Sequence, residues 1–287
     1  MNDLAVAAPM ADVETWSGKD RGDENFPVGS LLIARRLRPH MHAYYSFARN
    51  ADDIADASEL APAEKIRRLD IMADVLLGRR PDGSPSAAKL KQSLAVTGVT
   101  PVHATDLLIA FRQDATQLRY DTFEELCRYC RYSAVPVGRY VLDLHGESEG
   151  CYAASDALCT SLQVLNHLQD CSNDLRRLDR CYIPQKLLQQ FNATTGDLLE
   201  PAETPGLRQV FSAMLKQVER LNRAALALPE LVRSRRLRAE IMFICRLAVR
   251  LSARLGKSDP LAQRVALTKG DAAISLLHAL RALAWRS

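Results

Sequence analysis

Two sets of acidic residues, each spaced by four, carry the clearest chemistry in this 287-residue chain. In the stretch NHLQDCSND, Asn166, Asp170 and Asp174 recur at every fourth position. On an α-helix that spacing keeps them on one face, each step rising about 6 Å. The flanking Leu158, Leu162, Leu165, Leu168 and Leu175 predict a largely buried helix over 155–178. Three oxygen-bearing side chains on such a face are costly unless something satisfies them. Carboxylate and amide oxygens suit a hard cation such as Mg²⁺. The competing reading is a solvated face with the acids paired to Arg176, Arg177 or Arg180. A second stretch, RNADDIAD, places Asp52 and Asp56 four apart on a segment with its own apolar periodicity (Tyr44, Phe47, Ala48, Ala51, Ala55). Two such pairs facing across a cavity could share several Mg²⁺ ions. Shared ions are a common way to hold a diphosphate, because they bridge its oxygens and neutralise its charge.

Other residues could serve the same site. Arg49 precedes Asp53 by one turn and could meet a diphosphate as a fixed cation, or form a surface ion pair. Arg180 and Tyr182 follow the second acidic helix and could clamp the same group, or belong to a solvated helix end. Between the acidic stretches lies YCRYSAVPVG, residues 129–138. Pro136 should kink a helix there, and Ala134 and Gly138 leave room beside the backbone for an elongated apolar tunnel or a close helix crossing. His145 and His167 read as structural, with His167 turned about 100° from Asn166.

The elements that must position these residues read as helices throughout. Hydrophobic residues make up 47% and charged residues 25%, and most segments repeat apolar residues every three to four positions. This predicts an all-α protein with a sizeable core. Helices are expected at 28–36, 39–57, 63–77, 87–97, 101–119, 123–144, 155–178, 185–190, 206–226, 229–255, 260–265 and 270–284, with a surface loop at 79–85. The last is expected to be a core helix, membrane-surface contact being the other option. Residues 1–24 read as a mobile tail and 25–287 as one helical domain. The tail lacks the pattern of a signal peptide, and no apolar run approaches the roughly 20 residues of a membrane span. The formal charge of +4 is spread along the chain and does not suggest nucleic-acid binding. Seven scattered cysteines read as reduced thiols of a cytoplasmic protein, and the lone CxxC at Cys127 and Cys130 as no zinc site.

Three blocks in this order resemble the squalene/phytoene synthase family of prenyl-diphosphate enzymes: ENFPVGSLLIARRLRPHMHAYYSFARNADDIAD, RYDTFEELCRYCRYSAVPVGRYVLDLHG and LQVLNHLQDCSNDLRRLDRCYIP. The resemblance runs from about residue 24 to at least 184, and more weakly to the end. It implies an isoprenoid-synthase fold around a central active-site cavity. It implies that Asp52, Asp56, Asp170 and Asp174, with Asn166, hold two or three Mg²⁺ ions against a prenyl diphosphate. By the same resemblance Arg49 and Tyr129 lie near the diphosphate and the reacting carbons. Gln163 and Asn166 are polar positions on the second acidic helix, and Ala134 and Gly138 line a tunnel.

Within the family, ENFPV, NHLQDC and LRRLDRCYIP are most like the bacterial branch that forms hydroxysqualene for hopanoids. Departures from the common pattern include Gln169 between the second pair of acids, Ser133-Ala134-Val135 in the small-residue stretch, Ala248 late in the chain, and Asp23-Glu24-Asn25 before Phe26. They fit a pocket reshaped away from two-substrate condensation. The implied reaction ionises presqualene diphosphate and lets water capture the cation. No dinucleotide fingerprint is visible, in keeping with a reaction that needs no NADPH. The implied partners are the prenyl diphosphate and, through the pathway, other squalene-forming enzymes, at the inner face of the membrane if the chain touches it. The alternatives are a condensing enzyme that makes presqualene diphosphate or phytoene, and a non-catalytic scaffold. A scaffold would not need its four carboxylates. A di-iron bundle lacks the Glu-x-x-His motifs it would require.

Overall fold

The computed structural model describes residues 12–14 and 33–284, without the side chains of 281–284. Twelve α-helices and no strand are present among the described residues. Helix α1 (Arg38–Asp56) is followed by α2 (Pro62–Leu77), α3 (Pro85–Thr97) and α4 (Val102–Asp114). These four bury one apolar core built on Phe47, Ile54, Met72, Leu90 and Leu108. The second core gathers α5 (Phe123–Ser133), α7 (Tyr152–Leu178), α9 (Pro205–Ala225) and α11 (Arg235–Leu255), with Leu126, Leu165, Met214 and Leu251 fully buried. Helix α6 (Val135–Leu144) serves both cores: Leu142 joins the second, while Tyr140 joins the first and stacks on Tyr44 of α1 at 3.9 Å. Short helices α8 (Gln185–Gln190) and α10 (Leu228–Leu231) and the final α12 (Lys269–Ala284) complete the order.

The boundaries correct several expectations. Residues 123–144 form two helices, because Pro136 cannot donate to a continuous ladder and instead occupies the first turn of α6, where a missing N–H costs nothing. The expected helix 101–119 stops at Asp114, and the chain beyond it turns to pair Arg119 with Cys181. Ser234 divides 229–255 by accepting from Leu237 N–H (3.4 Å) as the cap of α11. No helix forms at 260–265, where the Asp259 carboxylate accepts from Leu261 and Ala262 N–H and fixes a turn. Of the expected helix 28–36, only 33–36 lies among the described residues, and Arg35–Leu37 is a 3₁₀ turn.

Most of the expected tail lies outside the described residues, but 12–14 is held. Val13 is buried and donates its N–H to Gly83 O (3.1 Å). The Glu14 carboxylate accepts from Ser86 N–H and from the hydroxyls of Ser84 and Ser86 at the start of α3. The final helix also departs from the expected core helix. Its inner face carries Asp271, Ser275 and Ala279, while Ile274, Leu276, Leu277 and Leu280 are exposed. Asp271 receives Arg250 and Arg254 of α11, so a polar anchor and small side chains seat this helix. All seven cysteines are free thiols. No described helix is long and apolar enough to cross a membrane.

Candidate active site

Helices α1 and α7 bring the two acidic pairs to one pocket. Asp52 and Asp56 line it from α1, and Asn166, Asp170 and Asp174 line it from α7, in a volume of about 180 Å³. The i,i+4 spacing works as the helix geometry requires, since the opposite faces of both helices carry core residues such as Phe47, Ile54, Leu165 and Leu168. Asp114 also lines the pocket, from the last position of α4. Sequence reasoning did not single it out. The available signal was a carboxylate on the buried stripe Leu107–Ala110–Asp114, where periodicity calls for an apolar residue.

Asp114 organises the floor of the pocket. Its two carboxylate oxygens accept from the Tyr129 hydroxyl (2.8 Å) and the Tyr182 hydroxyl (2.9 Å). The Tyr182 ring stacks on His167 at 3.7 Å. Burial, and then the Asp114 charge, push both phenols far above their ordinary range, so they stay protonated donors. Burial depresses the His167 imidazole to about 3, and Arg180 adds to the effect, so this ring is neutral. His167 therefore lines the pocket as a packed neutral partner of Tyr182, with Gln163 Nε2 lying 3.3 Å from its Nε2.

Arg180 bolts the pocket together. Asp179 ends α7 in the left-handed conformation (φ 52°), and the next residue turns inward. Arg180 donates to Asp56 Oδ1 (2.6 Å), Ala55 O (2.8 Å) and Asp114 O (3.2 Å), joining α1, α4 and the end of α7. It is 5% exposed, which removes the solvated helix-end reading. The following segment is laced to the chain after α4, with Cys181 N–H donating to Leu118 O and Gln185 N–H to Tyr120 O. This lacing sets Tyr182 above Asp114. Arg49 is not a surface pair either: it spans Asp52 (3.2 Å) and Asp53 (3.1 Å) with only 16% of its side chain exposed.

Two further cavities follow the pocket, each sharing wall residues with the one before it. A waist of about 340 Å³ shares Asp52, Tyr129, Gln163 and Asn166 with the acidic pocket and adds Tyr44, Arg49 and Ser133. The waist in turn shares Met41 and Val137 with a chamber of about 200 Å³, lined mainly by apolar side chains including Leu158, Leu162 and Ile241. Gly138 lines that chamber at the crossing of α6 and α7. A Cβ there would stand 2.5 Å from Cys159 Sγ and from Ser155 Oγ, so any larger residue would displace both side chains. Ala134 lines none of the three cavities; it is the junction between α5 and α6, at φ −120° and ψ −42°.

The electrostatics of the acidic pocket fit a cation. Burial pushes Asp52 up to about 8, with the Asp56 charge adding to it, and Asp174 up to about 7, with Asp170 and Asp56 adding. Asp52 keeps 34% of its side chain exposed, so water tempers its shift, but the direction follows from crowded carboxylates in a half-buried pocket. That Asp56 acts on Asp174 shows the two pairs within electrostatic reach. Among the described residues no three acidic, His or Cys side chains already form a cage for an ion. Oxygen donors on two walls suit ions that complete their shells with ligand oxygens and water.

The chain matches known proteins over most of its length. The family described as squalene/phytoene synthase matches residues 19–271. The hydroxysqualene synthase of Rhodopseudomonas palustris is 43% identical over 254 residues, covering 88% of this chain and 87% of that protein. The hydroxysqualene synthase of Zymomonas mobilis is 42% identical over 257 residues, covering 89% and 86%. Among solved structures, squalene synthase HpnC from Alicyclobacillus acidocaldarius superposes with a TM-score of 0.72 at 33% identity, over 83% of this chain and 90% of that one.

Proposed function

The chain belongs to the squalene/phytoene synthase family, and from that membership we propose that it converts presqualene diphosphate and water to hydroxysqualene, releasing diphosphate. This is a step of squalene and hopanoid biosynthesis. The observation that carries the reading is the identity of 42–43% to two hydroxysqualene synthases across nearly nine-tenths of each chain. The graded row of cavities supports it: a diphosphate fits the acidic end, and a long hydrocarbon fits the apolar end.

In this reading Asp52, Asp56, Asp170 and Asp174, with Asn166, hold two or three Mg²⁺ ions. Bound there, the ions supply charge neutralisation for the departing diphosphate. Arg180 keeps Asp56 in place, and Arg49 does the same for Asp52. Asp114 directs the hydroxyls of Tyr129, a catalytic group in this reading, and of Tyr182, a substrate-binding one. His167 stays neutral, so it adds no positive charge beside a developing cation. Gln163 and the tyrosines of the waist meet the reacting carbons, and Val137 and Gly138 shape the chamber that keeps the hydrocarbon dry. NADPH takes no part.

The chain acts in the cytoplasm at the inner face of the membrane, in functional sequence with enzymes that make its substrate and consume its product. The outward Ile274, Leu276, Leu277 and Leu280 of α12 support contact with lipid. The test is an end-point assay with Mg²⁺ and no NADPH, in ¹⁸O-labelled water, with and without anionic phospholipid vesicles. Labelled hydroxysqualene from presqualene diphosphate is expected, with the protein floating with the vesicles. Presqualene diphosphate or a hydrocarbon made from farnesyl diphosphate would instead make this a condensing enzyme. Protein that stays out of the vesicle fraction would end the lipid-contact reading.

A further inference from the structure

We propose that Ser133 positions the water that captures the carbocation, an inference that rests on the hydroxysqualene-forming reading above. Loss of diphosphate leaves the cation beside the acidic pocket while its hydrocarbon tails occupy the apolar chamber. The capturing water therefore belongs where the two meet, and that is the waist. A confined water needs two or more polar partners. Ser133 lines the waist, together with Tyr129, Gln163 and Asn166.

Ser133 differs from these neighbours in what its hydroxyl does. The Tyr129 hydroxyl donates to Asp114, and the Gln163 amide nitrogen lies against His167. The Ser133 hydroxyl is buried and has no hydrogen-bond partner in the protein. A serine on a helix ordinarily satisfies itself on the carbonyl one turn back, and a buried hydroxyl without a partner is costly. Such a group is retained where its partner is a water or a ligand. Ser133 is also the last residue of α5 and stands four residues after Tyr129, on the same helix face. Beyond it the chain breaks at Ala134, and the wall passes to Val137 and Gly138.

In the capture step the ester C–O bond to diphosphate breaks, with the electron pair leaving on the diphosphate oxygen. The cyclopropylcarbinyl cation so formed rearranges, one ring C–C bond shifting to the carbinyl carbon and the cyclopropane then opening, to leave the positive charge on an allylic carbon. The water oxygen gives a lone pair to that carbon and forms the new C–O bond. One water proton passes to the released diphosphate, and no oxidant or reductant is needed. Ser133 Oγ accepts a hydrogen bond from the water, with the Gln163 amide oxygen as a second acceptor, which turns a water lone pair toward the cation. Ser133 is a positioning residue in this step and forms no bond of its own.

The test compares wild type, Ser133→Ala, Ser133→Val and Ser133→Thr on presqualene diphosphate with Mg²⁺ in ¹⁸O-labelled water. Total diphosphate release and the distribution of products are both measured. Ser133→Ala and Ser133→Val should release diphosphate within about threefold of wild type, because ionisation does not need the hydroxyl. Their share of hydroxysqualene should fall by about fivefold or more, replaced by elimination products or other alcohols, and Ser133→Thr should restore most of it. An unchanged hydroxysqualene share in Ser133→Ala and Ser133→Val overturns the proposal. So does an equal loss of diphosphate release and hydroxysqualene that Ser133→Thr does not rescue, which is the signature of a packing role. The wild-type arm separates the two levels: no hydroxysqualene from wild type removes the reaction itself, whereas normal wild-type product with indifferent variants removes only Ser133.

Discussion

The acidic pocket and the apolar chamber lie at the two ends of a row of three neighbouring cavities, yet they are held in opposite ways. At the acidic end almost every side chain is fixed by name. Arg180 reaches three partners on α1 and α4, Asp114 holds two phenols, and Arg49 spans two carboxylates. Exchanging any of these groups leaves a buried partner unsatisfied, which costs about 1–3 kcal/mol or more before any chemistry is considered. At the apolar end the constraint is volume. Leu158, Leu162, Ile241 and Ile244 line the chamber with interchangeable hydrocarbon, and at Gly138 a Cβ would have to push aside the side-chain ends of Cys159 and Ser155. One end therefore encodes chemistry in residue identity, and the other encodes fit in summed size.

The sharpest way to break this contrast is to make isosteric changes at the acidic end. Asp170→Asn and Asp52→Asn keep size and remove one charge. Each should lower kcat by about 10³-fold or more, roughly 4 kcal/mol of lost transition-state stabilisation. Circular dichroism should report an intact helical fold. Activity within about tenfold of wild type in either variant would end the assignment of these groups as metal ligands. A smaller effect is expected at the other end. Val137 borders both waist and chamber and is 40% exposed, so a larger side chain there can be accommodated at the surface. Val137→Trp should lower kcat/KM by about tenfold on the full-length substrate. Binding of Mg²⁺ with inorganic diphosphate, measured by calorimetry, should stay unchanged. Loss of that binding would show that the two ends are not independent.

The same contrast explains what could be read without a structure. The acidic ends of α1 and α7 were legible because a carboxylate repeated every four residues on an otherwise apolar helix is conspicuous and has few physical explanations. The chamber was not legible, since leucines that line a cavity and leucines that fill a core follow one periodicity. Only Ala134 and Gly138, on either side of Pro136, hinted at an apolar tunnel, and of the two Gly138 alone lines the chamber. Asp114 escaped notice because a single acid within the expected helix 101–119 reads as ordinary, and the tyrosines that make it necessary lie 15 and 68 residues further on. Pro136 was recognised as a disturbance, but whether a proline kinks a helix or starts a new one depends on what the flanking segments pack against. The outward apolar face of α12 was hidden for a related reason: periodicity reports that one face is apolar and not which way it points.

The finest test of the acidic end is its titration. Burial and mutual repulsion place Asp174 at about 7 and Asp52 at about 8, against an ordinary 3.8 for each. The folded, metal-free chain thus holds protons that the unfolded chain gives up near pH 4. Its stability is full below that pH and is lost as pH rises through about 7 and 8, as the two carboxylates are forced to ionise together. On the proposed reading Mg²⁺ selects the ionised forms, so its binding expels the protons. Calorimetry of Mg²⁺ with inorganic diphosphate, repeated in buffers of different ionisation enthalpy, should count about one to two protons released from the protein at pH 6.5 and almost none at pH 9. Apparent affinity should rise by about tenfold per pH unit for each proton expelled, and level off above pH 8. Asp174→Asn should remove one proton from that count and leave the Asp52 step. An affinity independent of pH across this window would mean that the pocket does not crowd its carboxylates, and the difference drawn between the two ends of the row would lose its electrostatic half.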